Sequence, residues 1–171
     1  MKILGEKSLS SKVIIGLKVL FTIIVIMIVL VLSIIIKSIR NIAMQEDLQN
    51  NIFNLSVFAV IAITGLIALL IVFQFIKIFK NLKNNSLFCE SNAKSLDIIS
   101  NSCFIISACY LITVLITFFT INNYAKEITN YIFTFSIMLM IIFIISGIGI
   151  KILNEIYKKA IEYKEENDFT I

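Results

Sequence analysis

The side chains able to do chemistry in this 171-residue chain are few. There is no histidine, so the commonest proton shuttle and metal ligand is missing. A serine or cysteine nucleophile would have no imidazole to take its proton. No HExxH, GxSxG or phosphate-loop spacing occurs. Cys89, Cys103 and Cys109 give no disulfide framework, and the last two, six residues apart on one helix, face different ways. These features predict a protein that is not an enzyme and that carries no cofactor and no metal. One ordered set of polar side chains remains. Ser100, Cys103, Ser107, Tyr110, Val114, Thr117, Ile121 and Tyr124 alternate steps of three and four. Such a seam fits close helix packing, with hydroxyls hydrogen-bonded across it, or the lining for a small polar ligand.

The elements that must position these groups are set by hydropathy. Hydrophobic residues make up 59% of the chain and charged residues 15%, against roughly 25% charged in soluble domains. The apolar residues fall in four blocks, 19–36, 52–73, 98–121 and 128–150, none with a charge inside it. Each is long enough for a hydrocarbon core about 30 Å thick. Backbone groups in lipid must be satisfied within the segment, so the blocks are expected as helices despite their Ile and Val content. The expected fold is all-α: a four-helix transmembrane bundle, antiparallel and up-down, forming one domain over 1–171. The spans are placed at about 13–36, 52–78, 98–121 and 128–151. The first block exceeds a signal-peptide core and is expected to stay as a helix. No Asp, Glu or Arg lies in the middle of a span, which argues against a proton-coupled transporter.

Lysine and arginine set the orientation. Lys2, Lys7, Lys12 and Lys18 lie at the start, Lys77, Lys80, Lys83 and Lys94 around the second connection, and Lys151, Lys158, Lys159 and Lys164 after the fourth block. Only Lys37, Arg40 and Lys126 lie on the other side. Twelve against three places both termini in the cytoplasm of a multi-pass cell-membrane protein. The pI of about 9.0 thus reports topology and contact with anionic lipid rather than direct nucleic-acid binding. The second helix should continue past the membrane as an amphipathic stretch, with Phe75, Phe79 and Leu82 on one face. The fourth should continue over 152–165, with Ile152, Leu153, Ile156, Tyr157, Ala160 and Ile161 in one stripe and Glu155 paired to Lys159. Residues 1–12 read as a short basic lead-in, and 37–51 as the larger outer connection. Tyr124 and Tyr131 read as interface anchors, and Ser86 or Ser91 as the cap of the third helix. Ser146, Gly147 and Gly149 suggest close packing of the fourth helix. Whether the helices close a bundle alone or as a homo-oligomer stays open.

Two stretches resemble a known family. "IFKNLKNNSLFCESNAKSLDII" is similar to the central motif of the bacterial membrane-protein family called domain of unknown function 2975, with Phe88, Asn92 and Leu96 at the matching places. Leu87 replaces the family's usual proline, and Cys89 stands where a hydroxyl or acidic cap is common, so the turn should be less rigid. "AIEYKEENDFTI" is similar to the family's ending. The resemblance implies a four-helix integral membrane protein with no assigned activity, often encoded beside a small helix-turn-helix regulator.

Both motifs fall on the side expected to be cytosolic. A docking surface is expected there from Phe79, Leu82 and Lys83, from Phe88, Asn92 and Leu96, and from Glu166, Asn167, Asp168, Phe169, Thr170 and Ile171. Asn167 would end the fourth helix. Phe169 and Ile171 would fold back onto Phe79, Leu82, Leu87 and Phe88, with Glu165, Glu166 and Asp168 beside Lys80, Lys83 and Lys94. The same end could instead fray, or bind a partner. The functional expectation is a regulator or scaffold whose cytosolic face binds a soluble partner. Its competitor is a small transport or immunity-type component that binds a peptide or lipid within the bundle.

Overall fold

The computed structural model describes residues 4–44, 48–84, 88–120 and 126–168. They form four helices: α1 (Leu4–Ala43), α2 (Leu48–Lys83), α3 (Glu90–Thr120) and α4 (Lys126–Asp168). No strand occurs among the described residues. All four are long and apolar enough to cross a membrane, as in a multi-pass membrane protein.

Every helix outruns the apolar block that nucleates it. Residues 4–12, expected as a lead-in, are the first turns of α1, and the wide connection expected over 37–51 shrinks as α1 continues to Ala43 and α2 begins at Leu48. α3 starts at Glu90, between the two serines expected to cap it and eight residues before its apolar block, and α4 is 43 residues long, about 65 Å by rise. Hydropathy locates the lipid-facing part of a helix only. The polar flanks propagate it because the chain has no proline to stop it.

The start of α3 differs from expectation. The carbonyl of Cys89 accepts from the amides of Asn92 (3.0 Å) and Ala93 (3.4 Å), so Cys89 occupies the cap position. Ser91 lies inside the first turn, and Ser86 lies outside the described residues. α2 ends where the Asn84 amide donates to the carbonyls of Lys80 and Asn81.

The helices pack in chain order, α1 on α2, α2 on α3 and α3 on α4. Among the described residues, the backbones of the other pairs stay more than 8 Å apart. At the α1–α2 contact, Gly65 faces Ile28, whose Cγ1 would lie 3.0 Å from an added Cβ. α3 is the central element: a third of its apolar window is buried, against 6% for α1. Along α3 and α4 the partners run in opposite order: Asn92 with Tyr157, Asp97 with Asn154, Ser100 with Gly147, Tyr110 with Phe143, Phe118 with Phe133. These two helices are therefore antiparallel.

The interior inverts that of a soluble domain. Ser95, Ser100, Ser102, Thr113, Thr117, Thr129, Ser136 and Asn154 are buried, while large aliphatic side chains line the outside. In lipid there is no gain from hiding leucine among helices, so small and polar residues take the contacts. Tyr131 is exposed, as an interface anchor requires, and Tyr124 lies outside the described residues.

Candidate functional site

At the lysine-rich end, three helices are tied by one chain of hydrogen bonds. Asn81 Nδ2, near the end of α2, donates to Asn92 Oδ1 at 2.7 Å. Asn92 Nδ2, in the first turn of α3, donates to Tyr157 Oη of α4 at 3.1 Å. Asn92 is only 2% exposed. An amide has donors and an acceptor on one short side chain, so it can serve two neighbouring helices at once. Phe88 packs on the Tyr157 ring with centroids 5.7 Å apart, and Cys89 Sγ lies 3.9 Å from Asn81 Nδ2.

A second tie follows one turn along α3. Asn154 Nδ2 of α4 donates to Asp97 Oδ1 at 2.7 Å. Lys158 Nζ donates to Glu155 Oε1 at 3.2 Å and lies 3.5 Å from Asp97 Oδ2. The ion pair of Glu155 is therefore with Lys158 and not, as expected, with Lys159. Lys158 is drawn inward because Asp97 faces α4, whereas Lys159 is exposed. Asn154 is wholly buried and its Oδ1 has no partner. Asp97→Ala removes the acceptor that its Nδ2 uses. The variant should lose about 1–3 kcal/mol, the cost of a buried amide deprived of its bond. Asp97→Asn, which retains an acceptor, should lose less. Apparent melting temperatures in detergent compare the two.

A third tie lies deeper. Ser100 Oγ donates to the Gly147 carbonyl at 2.9 Å, and the Phe104 ring lies 3.1–3.3 Å from the place of a Gly147 Cβ. Gly149, two residues on and so facing another way, would place a Cβ with nothing within 4 Å.

Of the expected seam, Ser100, Cys103, Ser107 and Thr117 are buried, and Tyr110 is half-buried and stacked on Phe143 at 6.2 Å. Ser100 bonds across to the Gly147 carbonyl of α4. Thr117 and the neighbouring Thr113 bond back to carbonyls of α3 itself. Beside the seam runs an apolar groove of about 270 Å³, walled by Ile24 and Ile28 of α1, Gly65 and Ala68 of α2, and Ile106 and Tyr110 of α3.

The expected docking residues separate into two groups. Asn92 and Leu96 are buried and hold the junction together instead of forming a surface. Phe88, Lys83 and Glu166 are exposed, and Phe79 and Leu82 are half-buried. Asn167 and Asp168 close α4, and Phe169, Thr170 and Ile171 lie outside the described residues. α4 stays helical for eleven residues past Tyr157, about 16 Å by rise. The expected fold-back of Phe169 and Ile171 onto Phe79, Leu82, Leu87 and Phe88 lies outside the described residues.

Three members of the ties were not singled out from sequence, Asn81, Asp97 and Asn154, and Tyr157 was read only as part of the apolar stripe of α4. The signal for Asn154 was present in its spacing, three residues before Tyr157 and seven before Ile161, on one helix face with them. That stripe is split in the fold. Tyr157, Ala160 and Ile161 turn inward with Asn154, whereas Ile152, Leu153 and Ile156 face outward. Gln74, also missed, is 8% exposed with its Oε1 unpaired.

No curated protein and no solved structure matches this chain. The sequence profile described as "Protein of unknown function (DUF2975)" matches residues 7–171. With that match covering nearly the whole length and the two motifs of the resemblance inside it, the chain belongs to the DUF2975 family of proteins of unknown function.

Proposed function

We propose that this is a non-enzymatic membrane regulator or scaffold, with both termini and the three-helix junction in the cytosol, that binds a soluble partner there. One observation carries the reading: the Asn81–Asn92–Tyr157 chain locks α2, α3 and α4 together at the lysine-rich end. Rigid helix ends beyond a bilayer make a platform, and rigidity lowers the entropy cost of docking. Phe88 and Lys83 stand exposed on it. The acidic last turns of α4 extend past Tyr157, and the family-like ending that follows them is the segment we expect the partner to recognise. The charge asymmetry supports the orientation. The family resemblance suggests a small helix-turn-helix regulator as the partner, so contact with nucleic acid would be indirect.

The test is co-purification from native membranes with the full chain and with 169–171 deleted. The reading expects a soluble DNA-binding protein that is lost on deletion, with a matching change in transcription of its targets. Recovery of no soluble protein, or of one indifferent to the deletion, would overturn it.

The second reading, a transport or immunity-type component, draws on the apolar groove between α1, α2 and α3. It fits a lipid chain better than a polar solute. A lipid retained through purification by the native chain, and lost when Ala68→Phe fills the groove, would favour it.

A further inference from the structure

Gly149 sits in a helix interior, where glycine is conformationally costly. Within one copy nothing compensates, for no atom lies within 4 Å of the place its Cβ would take. The outward residues around it step by four and three: Ile145, Gly149, Ile152, Ile156, Lys159 and Tyr163. That is the spacing of a two-helix seam with a seven-residue repeat. Ile145, Ile152, Ile156 and Tyr163 are 65%, 57%, 62% and 68% exposed, on the side of α4 opposite the buried Asn154 and Ile161. Lipid accounts for only the first part of this face. Counted from Thr129, about 20 residues cross the hydrocarbon core, which ends near Gly149. Ile156 and Tyr163 follow about 10 and 20 Å further along the helix, past the depth where acyl chains could cover them.

The geometry points to a parallel pairing of α4 with the α4 of a second copy, crossing at Gly149 and continuing to Tyr163. A second copy fits because a two-fold axis along the membrane normal keeps both chains in the same orientation and brings like residues together. The same axis sets Gly149 on Gly149, where the missing side chains let the backbones approach. Lys159, the one charge in the seam, has Glu162 about one turn further on, so two lysines meeting on the axis have carboxylates within reach.

The experiment is disulfide cross-linking in native membranes. Cys89→Ser and Cys109→Ser remove the accessible thiols, while Cys103 is buried. Single cysteines are then placed in the seam (Ile152→Cys, Ile156→Cys, Tyr163→Cys) or off it (Lys151→Cys, Lys164→Cys). Oxidation should convert most of each seam variant to dimer and little of the off-seam variants. Gly149→Leu, whose Cβ would have no atom within 4 Å in one copy, should abolish the cross-link at Ile156→Cys while the chain elutes as a folded monomer. Equal cross-linking on and off the seam, no dimer at any position, or a dimer indifferent to Gly149→Leu would overturn the pairing. The outcome is independent of whether a soluble partner is recovered.

Discussion

Asn92→Ala should detach the end of α2 from α4 and lower stability more than any other single change at the junction. The variant loses the bond from Asn81 at 2.7 Å and the bond to Tyr157 at 3.1 Å, both in a place that is 2% exposed. Each is worth about 0.5–1.5 kcal/mol, and leaving buried polar groups less well satisfied adds to the loss, so about 2–3 kcal/mol is expected. Tyr157→Phe removes one bond and keeps the ring against Phe88, and should lose about 1 kcal/mol. Cys89 offers a local readout, since it caps α3 and lies beside Asn81. In Asn92→Ala its thiol should react faster with a maleimide, whereas Tyr157→Phe should change the rate little. Unchanged melting and unchanged thiol reactivity would mean that the three helix ends are not held by this residue.

Gly147→Leu is the second large effect. A Cβ at that position would lie 3.1–3.3 Å from three atoms of the Phe104 ring, and a leucine adds three carbons beyond it. α3 and α4 would have to separate where Ser100 bonds the Gly147 carbonyl. Overpacking of this kind costs about 1–3 kcal/mol, and the lost interhelical bond adds about 0.6 kcal/mol. The control is Gly149→Leu, two residues on, where the space is open. In a monomeric preparation it should melt at or slightly above the native temperature, because leucine is the better helix former. Equal destabilisation by the two would contradict the packing described here.

The spans were legible because lipid imposes one strong rule, about twenty apolar residues per crossing, and four such blocks stand apart in the sequence. The continuation of α2 to Lys83 and of α4 past its block was legible too, whereas the reach of α1 over 4–12 and 37–43 was not. Nothing in hydropathy distinguishes 90–97 as the start of α3 from a polar connection, and the backbone continues there because no proline or glycine stops it. Asn92 was flagged through the family motif, yet as part of a surface. Its burial depends on register: Tyr157 lies 65 residues away, and only the antiparallel packing of α3 on α4 brings the two together. Asp97 and Asn154, 57 residues apart, were hidden for the same reason. The face of α4 was misread because Ile152 and Ile161 have similar hydropathy, and their opposite environments are set by which side the buried Asn154 takes.

The central claim is that four crossings leave the Asn81–Asn92–Tyr157 junction inside the cell. Cysteine labelling in intact cells tests it most directly. With the native cysteines replaced by serine, one variant carries Lys83→Cys at the end of α2 and another carries Asn122→Cys between α3 and α4. A membrane-impermeant maleimide should label Asn122→Cys at once and Lys83→Cys only after the membrane is opened. Labelling of Lys83→Cys from outside, or protection of Asn122→Cys, would contradict the account.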